Sequence, residues 1–136
     1  MARVELGGTF IQSEKDIALI QGVAEQQFAL LLLSKPKLKE WYEPRLFEHI
    51  NNENGKPEGT IPDFFVQNTT SPHKGVFVEI TTASGDSQTD PKVKQRRVMK
   101  SAAPNDRYVV LYREHLERIQ EAYPDIDFFH ARKIKR

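Results

Sequence analysis

Hydrophobic residues cluster in two short stretches near the middle of the chain, and turn-forming residues border each stretch. The stretches are Ile61–Val66 and Val76–Thr81, both rich in β-branched and aromatic residues, which predicts two β-strands. The segment Gln67–Gly75 between them contains Asn, Ser, Pro and Gly, a composition that favours a hairpin. Because side chains alternate across a strand, Glu79 points to the opposite face from its two apolar neighbours.

The first long helix is predicted from apolar residues at helical spacing. Ser13, with an acid three residues later at Asp16, is typical of a helix N-cap. The helix is expected to run to about Leu33, where Ser-Lys-Pro follows. Its buried face would comprise Ile17, Ile20, Ala24, Phe28 and Leu31.

The remaining pattern predicts the other elements of a mixed fold. Asp90 and Pro91 are typical of a helix start, and that helix should end at about Ala103, before a proline. Together the elements predict a mixed sheet of three or four strands covered by the first helix. The remaining predicted elements are an extra strand or a loose arm in residues 1–12 (strand-like at Arg3–Leu6), a strand around Tyr42-Glu43-Pro44, a turn over Asn51–Gly59, a strand over Arg107–Arg113, a helix over Glu114–Tyr123 and a strand over Ile126–His130.

Two acidic residues lie within the predicted hairpin. Asp63 opens the first strand, and Glu79 lies between two apolar residues of the second. A carboxylate in an apolar strand needs a partner, a cation or water, because burying an unpaired charge is expensive. Acids on paired strands can converge on one divalent metal ion. Two plainer interpretations stay open: Asp63 makes local turn hydrogen bonds, and Glu79 is an edge-strand acid that faces solvent.

Pro62-Asp63 followed by Glu79-Ile80-Thr81 resembles the signature of the PD-(D/E)xK nucleases. The resemblance covers roughly residues 13 to 113. It includes Tyr42-Glu43-Pro44 upstream, an arrangement seen in mismatch-endonuclease-like and transposon-end-cleaving members. It implies an α/β, restriction-endonuclease-like core, with a mixed central β-sheet flanked by helices, in a single nuclease-like domain. The implied activity is metal-dependent DNA endonuclease hydrolysis of phosphodiester bonds. One departure stands out, because Thr81 occupies the usual lysine position.

The resemblance also implies a set of metal ligands. Asp63 and Glu79 would hold Mg²⁺ or Mn²⁺, which prefer hard oxygen ligands. Glu25 matches the carboxylate that such nucleases often supply from the first helix, and the Ile80 carbonyl would be a further ligand. Glu25 also lies on the edge of the predicted apolar helix face, so a solvated flank of an amphipathic helix is the other interpretation.

The helix after the hairpin is rich in basic residues and supplies the candidate cation. In the resembled family the strand lysine sometimes moves to this helix, and a glutamine after the motif is frequent there. Lys94, or failing that Lys92, is the candidate catalytic lysine, and Gln95 is the matching glutamine. Phosphate contacts are expected from this surface, although a solvated face is the usual fate of such a run. The predicted nucleic-acid-binding residues are Lys92, Arg96, Arg97 and Lys100.

Composition adds few constraints. The chain has 136 residues, a net charge of +1 and no cysteine, which suits one domain in a reducing, cytoplasmic setting. The start lacks the apolar core of a signal peptide, and no apolar run is long enough for a membrane helix. DNA is the expected partner, with no membrane, and a homodimer or a larger complex stays open. Two alternatives to a nuclease remain: a catalytically weakened module of the same fold that binds nucleic acid or protein, and a plain interaction domain.

Overall fold

Five consecutive strands form the middle of the chain, with helices before and after them. The computed structural model describes residues 6–85 and 91–135, with the backbone alone at positions 72 and 73. Arg3–Leu6 therefore lies largely outside the described residues, and so does the expected helix cap Asp90. Within the described ranges no helix is long and apolar enough to cross a membrane. The elements found there are β1 (Thr9–Ile11), α1 (Glu14–Ile17), α2 (Val23–Leu33), β2 (Leu38–Tyr42), β3 (Phe47–Ile50), β4 (Pro57–Thr60), β5 (Phe64–Asn68), β6 (Ser71–Ile80), α3 (Val93–Ala102), β7 (Arg107–Leu111) and α4 (Arg113–Ala122).

Five of the described strands form one mixed sheet in the order β1-β2-β5-β6-β7, and β3 and β4 form a separate antiparallel pair. The pairs in the larger sheet are antiparallel except for β6 and β7, which are parallel. Parallel neighbours need a crossover connection, and α3 provides it here. The mixed α/β class predicted from the sequence is confirmed. The sheet is wider than the three or four strands expected, and β1 forms one of its edges.

The predicted hairpin is confirmed as β5 and β6. Its register pairs Phe64 with Val78 and Phe65 with Phe77. The chain reverses at residues 69–70, so β6 is longer than expected and begins at Ser71. This register decides which side chains of the two strands lie side by side.

The two faces of the sheet bury separate apolar clusters. Alternation places Phe64, Val78 and Ile80 with α2, and it places Phe65 and Phe77 with α3. Val78 and Ile80 are buried, as the sequence predicted. The two clusters are the α2-side core and the α3-side core. The α2-side core contains Ile11, Ile17, Ile20, Ala24, Phe28, Ala29, Leu31, Leu32, Phe64, Val78, Ile80, Leu116, Ile126 and Phe128, and the α3-side core contains Phe47, Phe65, Phe77, Val98, Met99 and Ala103.

The first long helix is two helices, which corrects the prediction of one continuous helix. The N-cap prediction holds, because the Ser13 amide donates to Asp16 Oδ2 at 3.1 Å. The break follows α1, where the Gln26 side chain donates to the carbonyl oxygens of Ile17 and Ile20 at 3.2 and 3.0 Å. Free carbonyls at a helix end need such partners. The buried amide of Gln26 therefore takes over the role that the next helical turn would have had.

Two other predictions from the sequence are wrong. The turn expected over Asn51–Gly59 is shorter, because β4 pairs with β3 and leaves the reversal to residues 51–56. The strand expected over Ile126–His130 is a turn. There the Asp127 carboxylate accepts hydrogen bonds from the amides of Phe129 and His130, both at 3.0 Å. An aspartate that bonds the amides just after it favours a turn over an extended strand.

One carboxyl group lies inside the α2-side core. Glu40 on β2 is 2% exposed, and its register partners on the neighbouring strands are Ile11 and Val66. Neither carboxyl oxygen has a hydrogen-bond partner among the described residues. Burial raises the pKa of Glu40 from its ordinary value of 4.5 to about 8, because an apolar surrounding disfavours the charged form. Glu40 is therefore protonated in the folded protein at neutral pH.

Glu40→Gln should flatten the loss of stability between about pH 5 and pH 8. In the wild type the unfolded chain releases the Glu40 proton in this range while the folded protein keeps it. Each such group lowers the free energy of unfolding by up to about 1.4 kcal/mol per pH unit. Chemical denaturation at several pH values measures the slope. Glu48→Gln, at an exposed residue of β3, is the control, and an unchanged slope in Glu40→Gln would contradict the prediction.

Candidate active site

Asp63 and Glu79, called the acid pair below, are held side by side by two backbone amides, those of Ile80 and of Asp63 itself. The Ile80 amide donates to Asp63 Oδ2 at 2.7 Å, and the Asp63 amide donates to Glu79 Oε1 at 3.1 Å. Because Phe64 pairs with Val78, the residue that precedes β5 lies beside the end of β6. The hairpin register thus brings together two acids that are sixteen residues apart.

The corner before β3 supports the acid pair from the other side. The Glu43 amide donates to the Asp63 carbonyl at 2.9 Å. Glu43 has a positive φ of 49°, which is uncommon for a residue other than glycine. Gly8 packs against this corner with φ 75°, and an added Cβ there would collide with the carbonyl oxygens of Tyr42 and Glu43. The Tyr42-Glu43-Pro44 segment noted in the sequence therefore contacts the backbone of the first acid.

Both acids of the pair hold their protons more tightly than usual. Burial is the main cause of the raised pKa of Asp63, and the charges of Glu79 and Glu25 add to it. Burial also raises the pKa of Glu79, while Lys92 partly offsets that increase. Glu79 is only 5% exposed, so it does not face solvent as an edge-strand acid would. Two buried carboxylates this close repel each other when both are ionised, and a cation between them would relieve the repulsion.

Lys92 supplies a cation at the acid pair. Its Nζ lies 3.0 Å from Glu79 Oε2, and its side chain is 19% exposed. Thr81, at the usual lysine position, uses its hydroxyl locally, where Oγ1 accepts from the Ala83 amide at 3.1 Å. Lys94, the first candidate lysine from the sequence, is exposed. Of the two lysines considered from the sequence, the second choice, Lys92 at the N-cap of α3, is therefore the one beside Glu79, and its catalytic role stays a prediction.

Two polar atoms near the acid pair are buried without partners. Gln95 Oε1 and the Tyr108 hydroxyl oxygen have no hydrogen-bond partner within the ranges that the structure describes. Gln95 lies in the first turn of α3, three residues after its N-cap Lys92. Sequence reasoning selected Gln95 but not Tyr108, because an aromatic residue in an apolar strand gives no sign of where its hydroxyl ends.

Glu25 lies apart from the acid pair. Its carboxylate folds back onto Gly22, the N-cap of α2, where an added Cβ would collide with Glu25 Oε2. It borders an open cavity of about 380 Å³ at the end of β6 and is close enough to raise the pKa of both paired acids. Within the described residues, however, no three His, Cys, Asp or Glu side chains form a group able to hold a metal ion. Ile80 contacts the acid pair through the hydrogen bond from its amide to Asp63. Its carbonyl oxygen stays a predicted metal ligand.

Much of the positive charge on α3 is used within the protein. Arg96 donates to the Tyr112 hydroxyl at 3.0 and 2.6 Å, and Arg97 forms two hydrogen bonds with Glu58 at 2.6 and 3.0 Å. The hydrogen bonds from Arg97 and His49 lower the pKa of Glu58 to about 2. Lys100 is exposed. Arg96 and Arg97 therefore have partners within the protein, and phosphate binding by the four residues selected from the sequence stays a prediction.

The loop after β6 is anchored as far as it is described. Glu114, at the start of α4, accepts hydrogen bonds from the Ser84 hydroxyl and from the Gly85 amide. The Arg113 amide donates to the Ala83 carbonyl at 3.0 Å. The small polar residues of this loop give no sign in the sequence of the distant acid that binds them.

Lys92→Met should destabilise the protein more at pH 8 than at pH 5. Removing one partner of a fully buried ion pair costs about 3–5 kcal/mol. We expect about 2 kcal/mol at pH 8, because Lys92 is partly exposed and Glu79 can take up a proton. The raised pKa of Glu79 means that its carboxylate takes up a proton more readily as the pH falls, so Lys92 has less charge to balance at pH 5 than at pH 8. Urea unfolding at both pH values measures the difference. The exposed neighbour serves as control in Lys94→Met, and equal losses in both variants would contradict the prediction.

No protein-family model, curated protein or solved structure matches this chain. The site is therefore interpreted from its own geometry.

Proposed function

We propose that the protein is a metal-dependent endonuclease that hydrolyses phosphodiester bonds of DNA. One observation carries the proposal: Asp63 and Glu79 lie side by side at the end of the hairpin, and Lys92, the N-cap residue of the following helix, reaches Glu79. The constellation supplies the acids and the cation of the resembled motif although Thr81 replaces the strand lysine. A restriction-endonuclease-like core is part of the same proposal. It is supported by a mixed sheet with helices on both faces. It is also supported by the position of the two acids at the β5–β6 hairpin, whose second strand pairs in parallel with β7.

The chemistry of the acid pair fits Mg²⁺ or Mn²⁺. Asp63 and Glu79 offer hard carboxylate oxygens, and Mg²⁺ is commonly held by one or two carboxylates together with water and substrate phosphate. A third protein acid is therefore not required. A divalent ion would displace the protons that the raised pKa values of both acids retain, and it would offset the repulsion between the two ionised carboxylates.

The residues of this chain would orient the metal ligands and stabilise the charge that develops in the reaction. The Ile80 amide fixes the Asp63 carboxylate, and the Asp63 amide fixes that of Glu79. The metal ion, when bound, would lower the pKa of a water molecule and neutralise charge on the phosphate. Lys92 would stabilise the charge that develops on the phosphate. The exposed Lys94 and Lys100 on α3 would contribute contacts to the DNA backbone that do not depend on sequence.

A second candidate function is a DNA-binding or protein-binding module with a weakened catalytic site. It is favoured by the hydroxyl of Thr81, which bonds within its own turn, and by the separation of Glu25 from the acid pair. Both features remove a group that an efficient nuclease of the resembled family uses. The two functions differ in metal-dependent cleavage, which only the first one requires.

Mn²⁺ should raise the melting temperature through binding to the folded protein. At about 100 times the dissociation constant the gain is about 2.7 kcal/mol, which corresponds to roughly 5 °C or more for a domain of this size. Asp63→Asn should abolish the shift while it keeps an oxygen for the Ile80 amide. Differential scanning calorimetry with and without Mn²⁺ measures it. Asp106→Asn, at an exposed position, is the control, and an intact shift in Asp63→Asn would place the metal elsewhere.

Lys92→Ala should slow metal-dependent nicking of plasmid DNA by about 100- to 1000-fold, because losing a group that stabilises transition-state charge typically costs this much. Lys94→Ala and Thr81→Ala should change the rate little, since neither residue contacts the acid pair in the structure. Initial nicking rates with Mg²⁺ or Mn²⁺ measure the effect. Equal rates in Lys92→Ala and the wild type would exclude Lys92. DNA binding without cleavage in the wild type would favour the second function.

A further inference from the structure

Tyr108 lies on β7 next to the acid pair although it belongs to an apolar cluster. Its register partner on β6 is Phe77, and Glu79 follows two residues later on the same face of the sheet. Diagonal neighbours on adjacent strands are within reach of long side chains such as tyrosine. The ring packs against the α3-side core, so the position of the ring is fixed by packing alone.

The hydroxyl of Tyr108 is unusual because it is buried without a hydrogen-bond partner among the described residues. A buried tyrosine hydroxyl normally finds a partner, since an unmade hydrogen bond there is costly. Burial, followed by the charges of Glu79 and Asp63, raises the pKa of Tyr108. The hydroxyl therefore keeps its proton and stays a donor over the whole pH range in which the acid pair titrates.

Lys92 has two roles that compete in the proposed reaction. In the structure its ammonium group binds Glu79 Oε2, whereas in catalysis its charge is needed at the phosphate. When Lys92 turns to the substrate, Glu79 loses a donor inside a buried site. Other polar groups nearby are already engaged: Arg96 binds the Tyr112 hydroxyl, and Thr81 accepts within its turn.

We propose that Tyr108 is a positioning residue of the acid pair, whose hydroxyl donates to the Glu79 carboxylate when Lys92 engages the substrate. This inference rests on the proposed function, because it assigns a role within the same site. Tyr108 would keep Glu79 oriented toward the metal ion without touching the substrate. Groups that orient metal ligands typically change metal affinity or activity by about 10- to 100-fold when they are removed.

The test compares wild type, Tyr108→Phe and Tyr123→Phe. Tyr123 is a matched control, because its hydroxyl accepts from Lys35 on an exposed part of the protein. We expect Tyr108→Phe to bind Mn²⁺ about 10- to 100-fold more weakly by isothermal titration calorimetry and to lower kcat for nicking with little change in KM. Its melting temperature without metal should be unchanged or higher, because a buried hydroxyl without a partner is removed. Tyr123→Phe should bind Mn²⁺ like the wild type.

Three outcomes would overturn the inference. If Tyr108→Phe binds Mn²⁺ and nicks DNA like the wild type, the hydroxyl has no role and the proposed function stands. If Tyr108→Phe melts several degrees lower without metal, its hydroxyl supports the fold rather than the acid pair. If the wild type neither binds Mn²⁺ nor cleaves DNA, the proposed function falls first, and the positioning role falls with it.

Discussion

The register of the β5–β6 hairpin is the constraint on which the site depends. Side chains on a strand alternate with a period of two, so a slip of one residue would move Glu79 to the α2 face. There its carboxylate would be buried among apolar side chains, which is energetically unfavourable. The hydrogen bonds from the Asp63 amide to Glu79 and from the Ile80 amide to Asp63 hold this register at the open end of the hairpin. The paired phenylalanines fix it near the middle, where Phe65 and Phe77 stack with ring centroids 4.8 Å apart. Packing and polar bonding therefore select the same alignment.

The site is held together by groups that are poorly suited to a protein interior. Glu79 is buried and Asp63 is half-buried, and Glu40 adds a buried carboxyl group on the opposite face of the sheet. Buried groups of this kind lower stability unless they are neutral or paired. Perturbed carboxyl groups concentrate at functional sites, although structural networks produce them as well. A cation and neighbouring amides stabilise the carboxylates of the acid pair, whereas among the described residues Glu40 has no such partner and is stabilised by protonation.

Local patterns in the sequence predicted the parts of the fold that depend on local chemistry. The hairpin and the helix after it follow from turn residues, strand residues and a proline, all of which act within a few positions. The break between α1 and α2 depends on Gln26, which is hydrophilic and gives no hint that it will be fully buried. The turn at Asp127 and the anchoring of Ser84 by Glu114 likewise depend on single polar contacts. The second acid and its lysine were predictable, because both lie close to the strand motif, while the hydroxyl of Tyr108 was not.

The same glutamine links the two ends of the described chain. Besides capping α1, the Gln26 side chain exchanges hydrogen bonds with the backbone of Ile134, which lies 108 positions away. A contact of such long sequence separation forms late, since most of the chain must be ordered before its ends can meet. The helix that carries Glu25 is therefore tied to a segment far away in the sequence, so the wall of the cavity that Glu25 borders depends on the long-range order of the fold.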